Sequence, residues 1–209
     1  QQAQLAWNRE LCFLQEAGLR PNARVLDLGC GAGEITRRLA QAVPAGEAIG
    51  LDRDPDLLPS SGANGAPRFV LGNVEIVPPA LGSFDLIYAR FLLQHLPRPE
   101  PVLSAAAARL TPGGALALLD SDDAFFVLDP PDPELEELLA IARARQERLG
   151  GDRQVGRRLP ALLAQAGLSP GANRVQVFTS LEIPFGILFA LATGYKAALL
   201  GAAEEFQGL

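Results

Sequence analysis

Apolar residues fall along this chain in short runs separated by amphipathic stretches. The runs at 25–27, 48–52, 68–75, 83–90 and 115–120 predict five strands, most ending in a polar or acidic residue. Between them, 35–43 reads as a helix and the alanines of 105–108 as a small-faced helix lying against a sheet. Strand and helix in alternation argue for an α/β fold whose parallel sheet is wound on both faces. A helix over 3–20 precedes this region, with Leu5, Leu11, Leu14 and Leu19 among polar positions and Gly18 and Pro21 at its end. Residues 60–67, rich in Gly, Ser and Asn, predict a surface loop.

Beyond residue 120 the pattern loosens. An acidic, proline-rich loop at 121–133 leads into an amphipathic helix over 133–149, and 153–166 predicts another helix stopped by Gly167. Residues 173–180 alternate as a strand would, with Val175, Val177 and Thr179 on one face, and 184–206 is helical in pattern. The expectation is one domain over 1–209, with a core at 24–120, a helical insertion near 133–150 and a C-terminal strand and helix at 173–209.

The first strand runs into the turn Asp27-Leu28-Gly29-Cys30-Gly31-Ala32-Gly33. Glycines at every second position allow positive φ and close backbone approach, and the free N–H groups of the following helix point at whatever sits over the turn. A small polar ligand is expected there. Its spacing, G-x-G-x-G, differs from the G-x-G-x-x-G of dinucleotide binding, and it carries an extra acid, Asp27, in the strand itself. A nicotinamide-dependent oxidoreductase explains neither Asp27 nor the polar turn at Asn73. The run 48–52 ends in Asp52, roughly 20 residues past the turn, where a carboxylate can accept both hydroxyls of a ribose.

This combination resembles the first motifs of the class I S-adenosylmethionine (SAM)-dependent methyltransferases. The later elements are similar to that family in order: Asn73 closing the third strand, Phe91-Leu92-Leu93-Gln94-His95-Leu96-Pro97 after the fourth, and Leu110-Thr111-Pro112-Gly113-Gly114 before the fifth. The resemblance covers about residues 24–120. It implies a Rossmann-like, doubly wound, mostly parallel sheet in three α/β/α layers, and transfer of a methyl group from SAM to a small-molecule acceptor. It also implies a set of cofactor residues. The turn Gly29-Cys30-Gly31 would face the methionine part, Asp27 its ammonium group, Asp52 the ribose and Arg53 the adenine plane. Asn73 and the Val74 backbone would read the adenine edge, with Asn73 standing where the family usually has aspartate, and Ala89 or Arg90 would border the methyl. Trp7 and Phe13 on the leading helix would either cover ligand or pack in the core. The family's usual fold has seven strands, and no convincing seventh is legible. A SAM-binding regulatory or assembly protein without transferase activity is the alternative reading.

Charge and composition narrow the partners. Net charge is −6, the sequence pI is about 4.9, and the arginines are interleaved with acids rather than gathered in a stripe. Nucleic acid is therefore not an expected substrate. Asp129-Pro130-Pro131-Asp132 looks like the box of amino-methylating DNA enzymes, but it follows the fifth strand and lacks the aromatic. The longest apolar candidate, 183–200, is broken by Pro184, Gly186, Gly194 and Lys196, so no membrane association is expected. With two cysteines, Cys12 and Cys30, and no signal-peptide pattern, a reducing cytoplasm is the expected compartment. The chain does not begin with Met, and its start reads as trimmed.

Candidate catalytic groups are few. His95, the single histidine, follows the fourth strand on the ligand side, where it could act as a base or serve a local structural role. Tyr88 could line the pocket or belong to the core. Asp120, Asp122 and Asp123 cluster at the same sheet edge, yet an acidic loop accounts for them and no metal is expected.

Overall fold

The structure is a computed structural model that describes residues 2–61, 67–169, 171–184 and 186. Helix α1 (Gln2–Glu16) leads into β1 (Arg24–Leu28), α2 (Glu34–Ala42), β2 (Glu47–Asp52), β3 (Arg68–Leu71), β4 (Phe84–Arg90), α3 (Glu100–Ala107) and β5 (Leu110–Leu119). All five strands pair in parallel in the order β3-β2-β1-β4-β5. The chain leaves β1 toward β2 and β3, then crosses back to place β4 on the other side of β1. That reversal opens a crevice beyond the C-terminal ends of β1 and β4, where open α/β sheets bind ligands.

Side chains of successive strand residues point to opposite faces, and the two faces have separate cores. Val25, Ala48, Leu86, Tyr88 and Ala117 pack with Leu14 of α1 and Ile35 and Leu39 of α2. Leu26, Leu28, Ile49, Leu51, Ile87 and Ala89 pack with Val102, Leu103 and Ala106 of α3. Later helices α4 (Pro133–Arg148) and α5 (Leu159–Gln165) follow, and Leu162 of α5 joins the second core. Asp27 sits two residues after Val25 and so shares the face covered by α1 and α2. It is a carboxylate only 2% exposed.

Several expectations change at the edges. Strand β3 closes at Leu71 rather than reaching Glu75. The Thr111-Pro112-Gly113-Gly114 turn is absorbed into the start of β5, where a register shift against Phe84 and Leu86 accommodates it. The helix expected over 153–166 is a 3-10 turn at Val155–Arg158 followed by α5. The strand expected over 173–180 does not form: no ladder pairs with it among the described residues, and Val175 and Val177 are 75% and 62% exposed. Period-two alternation marks a strand only where a neighbouring strand takes up its hydrogen bonds. Arg9 instead donates to the Val177 carbonyl and pairs with Glu182, and Arg174 pairs with Glu16, strapping this segment along α1. Most of the predicted helix over 184–206, and residues 62–66 of the predicted loop, lie outside the described residues. Among those described, no helix is long and apolar enough to cross a membrane.

Candidate cofactor-binding site

The glycine turn lies at the mouth of the crevice. Gly29, Gly31 and Gly33 have φ of 70°, 50° and 73°, the left-handed region that a Cβ makes costly. A Cβ on Gly33 would come within 2.4 Å of the Phe69 ring, so packing as well as conformation requires glycine there. A Cβ on Gly31 would meet no protein atom within 4 Å. That open space beside the turn leaves room for a ligand.

Asp52, at the end of β2, fixes the turn. Its Oδ2 accepts the Gly31 amide at 2.7 Å and its Oδ1 accepts the Asp54 amide at 3.0 Å. Each oxygen keeps a lone pair, so the carboxylate can still take ribose hydroxyls from the crevice side. Arg53 beside it is exposed. Asn73 is exposed beyond β3, with Oδ1 accepting the Glu75 amide in an Asx turn. Val74 next to it is 5% exposed.

Beneath the turn, Asp27 Oδ2 accepts the Thr36 hydroxyl at 2.7 Å. Burial raises its pKa to about 7, against the opposing effects of that hydrogen bond and of the Arg90 charge. Burial likewise pushes the Cys30 thiol up to about 12, helped by the charges of Asp27 and Asp52. The thiol is therefore neutral and unreactive, and its Sγ lies 3.8 Å from the Gly31 carbonyl oxygen.

Arg90 and Tyr88 have a partner that the sequence did not reveal. The Tyr88 hydroxyl donates to Glu10 Oε2 at 3.0 Å, and Arg90 Nε lies 3.0 Å from both Glu10 oxygens. Glu10 belongs to α1 and its side chain is 0% exposed. Tyr88 is 1% exposed and burial holds its phenol well above the usual range, so this structure gives it a packing and anchoring role. The Arg90 guanidinium also lies 4.4 Å from the centre of the Phe91 ring. Phe91 itself takes φ 51°, strain stored where β4 enters the crevice. Ala89 is 1% exposed and packs in the α3-side core. Trp7 and Phe13 pack against the α1–α2 core, the packing alternative of the two expected for them.

His95 lies on the solvent side of the crevice, with Nδ1 3.5 Å from Gln146 Nε2. Partial desolvation lowers its pKa, and the charges of Arg153 and Arg53 push in the same direction. Gln94 beside it is the polar hub of this end: its Oε1 accepts Ser121 Oγ at 2.7 Å and Arg153 at 2.6 Å, and its carbonyl accepts Gln146 Nε2 at 2.9 Å. The three aspartates of the sheet edge are each engaged. Asp120 accepts the Ser121 and Gln94 amides, Asp122 is held by both donors of Arg157, and Asp123 by Arg153. Burial raises Asp120 to about 6.

A turn open to ligand, a buried acid beneath it and a carboxylate at the end of β2 suit a nucleoside carrying a cationic amino-acid tail. Comparison with known proteins agrees. Residues 25–114 match the family model described as a methyltransferase domain. The trans-aconitate 2-methyltransferase of Deinococcus radiodurans is 43% identical over 101 residues, 47% of this chain and 38% of that protein. The protein of the same name from Variovorax paradoxus is 33% identical over 175 residues, 81% of this chain and 64% of that protein. A SAM-dependent methyltransferase structure from Methanosarcina mazei matches with a TM-score of 0.62 at 17% identity, covering 79% of this chain and 88% of that one. Magnesium protoporphyrin IX methyltransferase from Synechocystis, with bound SAH, matches at 0.60 and 16%, covering 85% and 78%. At those identities the structural likeness shows the fold. Residues 25–114 are a methyltransferase domain, and the relatives and the fold together support a class I SAM-dependent methyltransferase whose cofactor is S-adenosylmethionine. It spans 38% to 64% of the length of the first curated relatives it matches.

Proposed function

We propose that this chain transfers the methyl group of SAM to a carboxylate oxygen of a small organic acid. The observation that carries the cofactor half is the Gly31 amide bound to Asp52 across an open turn. Gly29 and Gly31 would line the methionine part, Asp27 would supply charge beneath its ammonium group, and Asp52 would take the ribose. Arg53, Asn73 and the Val74 backbone would border the base.

SAM supplies an electrophilic methyl on a sulfonium that leaves as a neutral thioether. The acceptor oxygen forms the new C–O bond as the C–S bond breaks and its electron pair stays on sulfur, giving a methyl ester. The protein's part is alignment and exclusion of water. A carboxylate acceptor is already deprotonated near neutral pH, so no base need remove a proton. That fits a site where the Tyr88 hydroxyl is buried on Glu10 and the thiol of Cys30 is held neutral. It also fits His95 standing in the field of Arg53 and Arg153, a setting that favours an anion. Relatives named trans-aconitate 2-methyltransferase support the same acceptor class.

The test is to incubate the protein with SAM and a panel of organic acids, trans-aconitate included, alongside alcohols and amines. Release of the demethylated product together with a base-labile ester, seen only with acids, supports the proposal. Turnover confined to alcohols or amines refutes the acceptor class.

A further inference from the structure

Glu10 reaches the site from α1, well outside the motifs that define the cofactor turn. Asp27 pairs in register with Tyr88, and Arg90 lies two residues beyond on the same face of β4. Both β4 side chains end on the Glu10 carboxylate, which is 0% exposed, while Arg90 is 11% exposed. Two carboxylates, Glu10 and Asp27, thus share the field of one guanidinium.

We propose that Glu10 is a positioning residue for the cofactor: by holding and partly neutralising Arg90 beside Asp27, it sets the charge that Asp27 presents to the ammonium group. This rests on Asp27 being the ammonium anchor.

The groups acting on Asp27 can be followed element by element. Thr36 of α2 donates a neutral hydrogen bond. Tyr88 of β4 and Cys30 of the turn are both shifted up, and so stay uncharged near neutral pH. Asp52 at the end of β2 and Glu10 of α1 are negative and raise the Asp27 pKa, and Arg90 is the cation that lowers it. Removing the Glu10 charge leaves Arg90 acting on Asp27 alone, and Asp27 then ionises at lower pH. Removing Arg90 does the reverse. A SAM ammonium needs the ionised acid, so affinity follows the same direction. A Glu10 whose charge did not reach Asp27 would move neither midpoint.

The experiment follows two readouts across about pH 5 to 9. One is the carboxyl titration of 13C-labelled aspartate, with the Asp27 signal identified by its loss in Asp27→Asn. The other is calorimetric SAM affinity. Glu10→Gln keeps an acceptor oxygen for Tyr88 and Arg90, and should move both midpoints down by on the order of one pH unit. Arg90→Met should move both up, and Glu10→Asp, which keeps the charge, should restore wild-type behaviour. A folded Glu10→Gln with an unchanged or raised Asp27 midpoint overturns the inference. If Arg90→Met does not fold, Glu10→Gln decides alone. Wild-type protein that takes up no SAM at any pH refutes the reading of the site, while the carboxyl midpoints still judge the coupling separately.

Discussion

Asp52 Oδ2 and the amide of Gly31 lie 2.7 Å apart, so the end of β2 holds the middle of the glycine turn open. One carboxylate thereby shapes the turn and faces the crevice. Asp52→Ala removes both functions, and SAM affinity should fall roughly 5- to 150-fold, the equivalent of about 1–3 kcal/mol. Calorimetric titration checks this. Unchanged affinity would show that the ribose lies elsewhere.

Gly31→Val separates the fold from the site. A side chain there meets no protein atom within 4 Å, so the core is untouched, although φ 50° makes the backbone costly by about 1–3 kcal/mol. The variant should melt a few degrees lower, keep its far-UV spectrum and bind no SAM.

The buried acids give stability a definite sign with pH. Asp27 is raised from 3.8 to about 7 and Asp120 from 3.8 to about 6. Below their unfolded values both are neutral in either state, and their contribution to stability is fully present. As pH rises, the unfolded chain loses these protons first, and the contribution is lost through the folded values, between about pH 4 and 7. Thermal melts of the SAM-free protein should show this decline from these two groups. Asp27→Asn should flatten it, with a gain at pH 8 of up to roughly 4 kcal/mol for three pKa units. The same variant should lose SAM, which sets stability against binding at one residue.

His95→Ala tests the acceptor chemistry. With a carboxylate acceptor kcat should stay within about tenfold, whereas loss of a general base costs about 10²–10⁴. Steady-state rates with an identified acid distinguish the two.

Gln94→Leu should destabilise by about 2–4 kcal/mol. It leaves Arg153 Nη1 and the Ser121 hydroxyl facing a buried apolar side chain, while Asp123 keeps the rest of the guanidinium, and frees the Phe91 carbonyl that Gln94 Nε2 contacts at 3.2 Å. Denaturant unfolding at constant m-value is the measurement.

What could be read from the chain was what depends on near neighbours. Val25-Leu26 and Ile49-Gly50-Leu51 announce buried strands, Asp27 and Asp52 stand at their ends, and the glycines mark the turn. What escaped depends on side chains meeting across the fold. Glu10 and Tyr88 are separated by 78 positions, and Gln94 and Arg153 by 59. One trace of Glu10 was present: it lies three residues after Trp7 and four before Leu14, a charge inside the apolar stripe of α1. Thr36, one step from Ile35 on α2, left a similar trace. The alternation of Val175 and Val177 misled because nothing in a local pattern says whether a pairing edge is within reach.

The tether from α1 to β4 also bears on the order in which the molecule is made. Glu10 must wait for Arg90, 80 positions later, before its charge is matched. Until β4 has been synthesised and seated beside β1, α1 has an acid in its apolar stripe and every reason to remain in water. Helix α1, made before β4, thus docks after it.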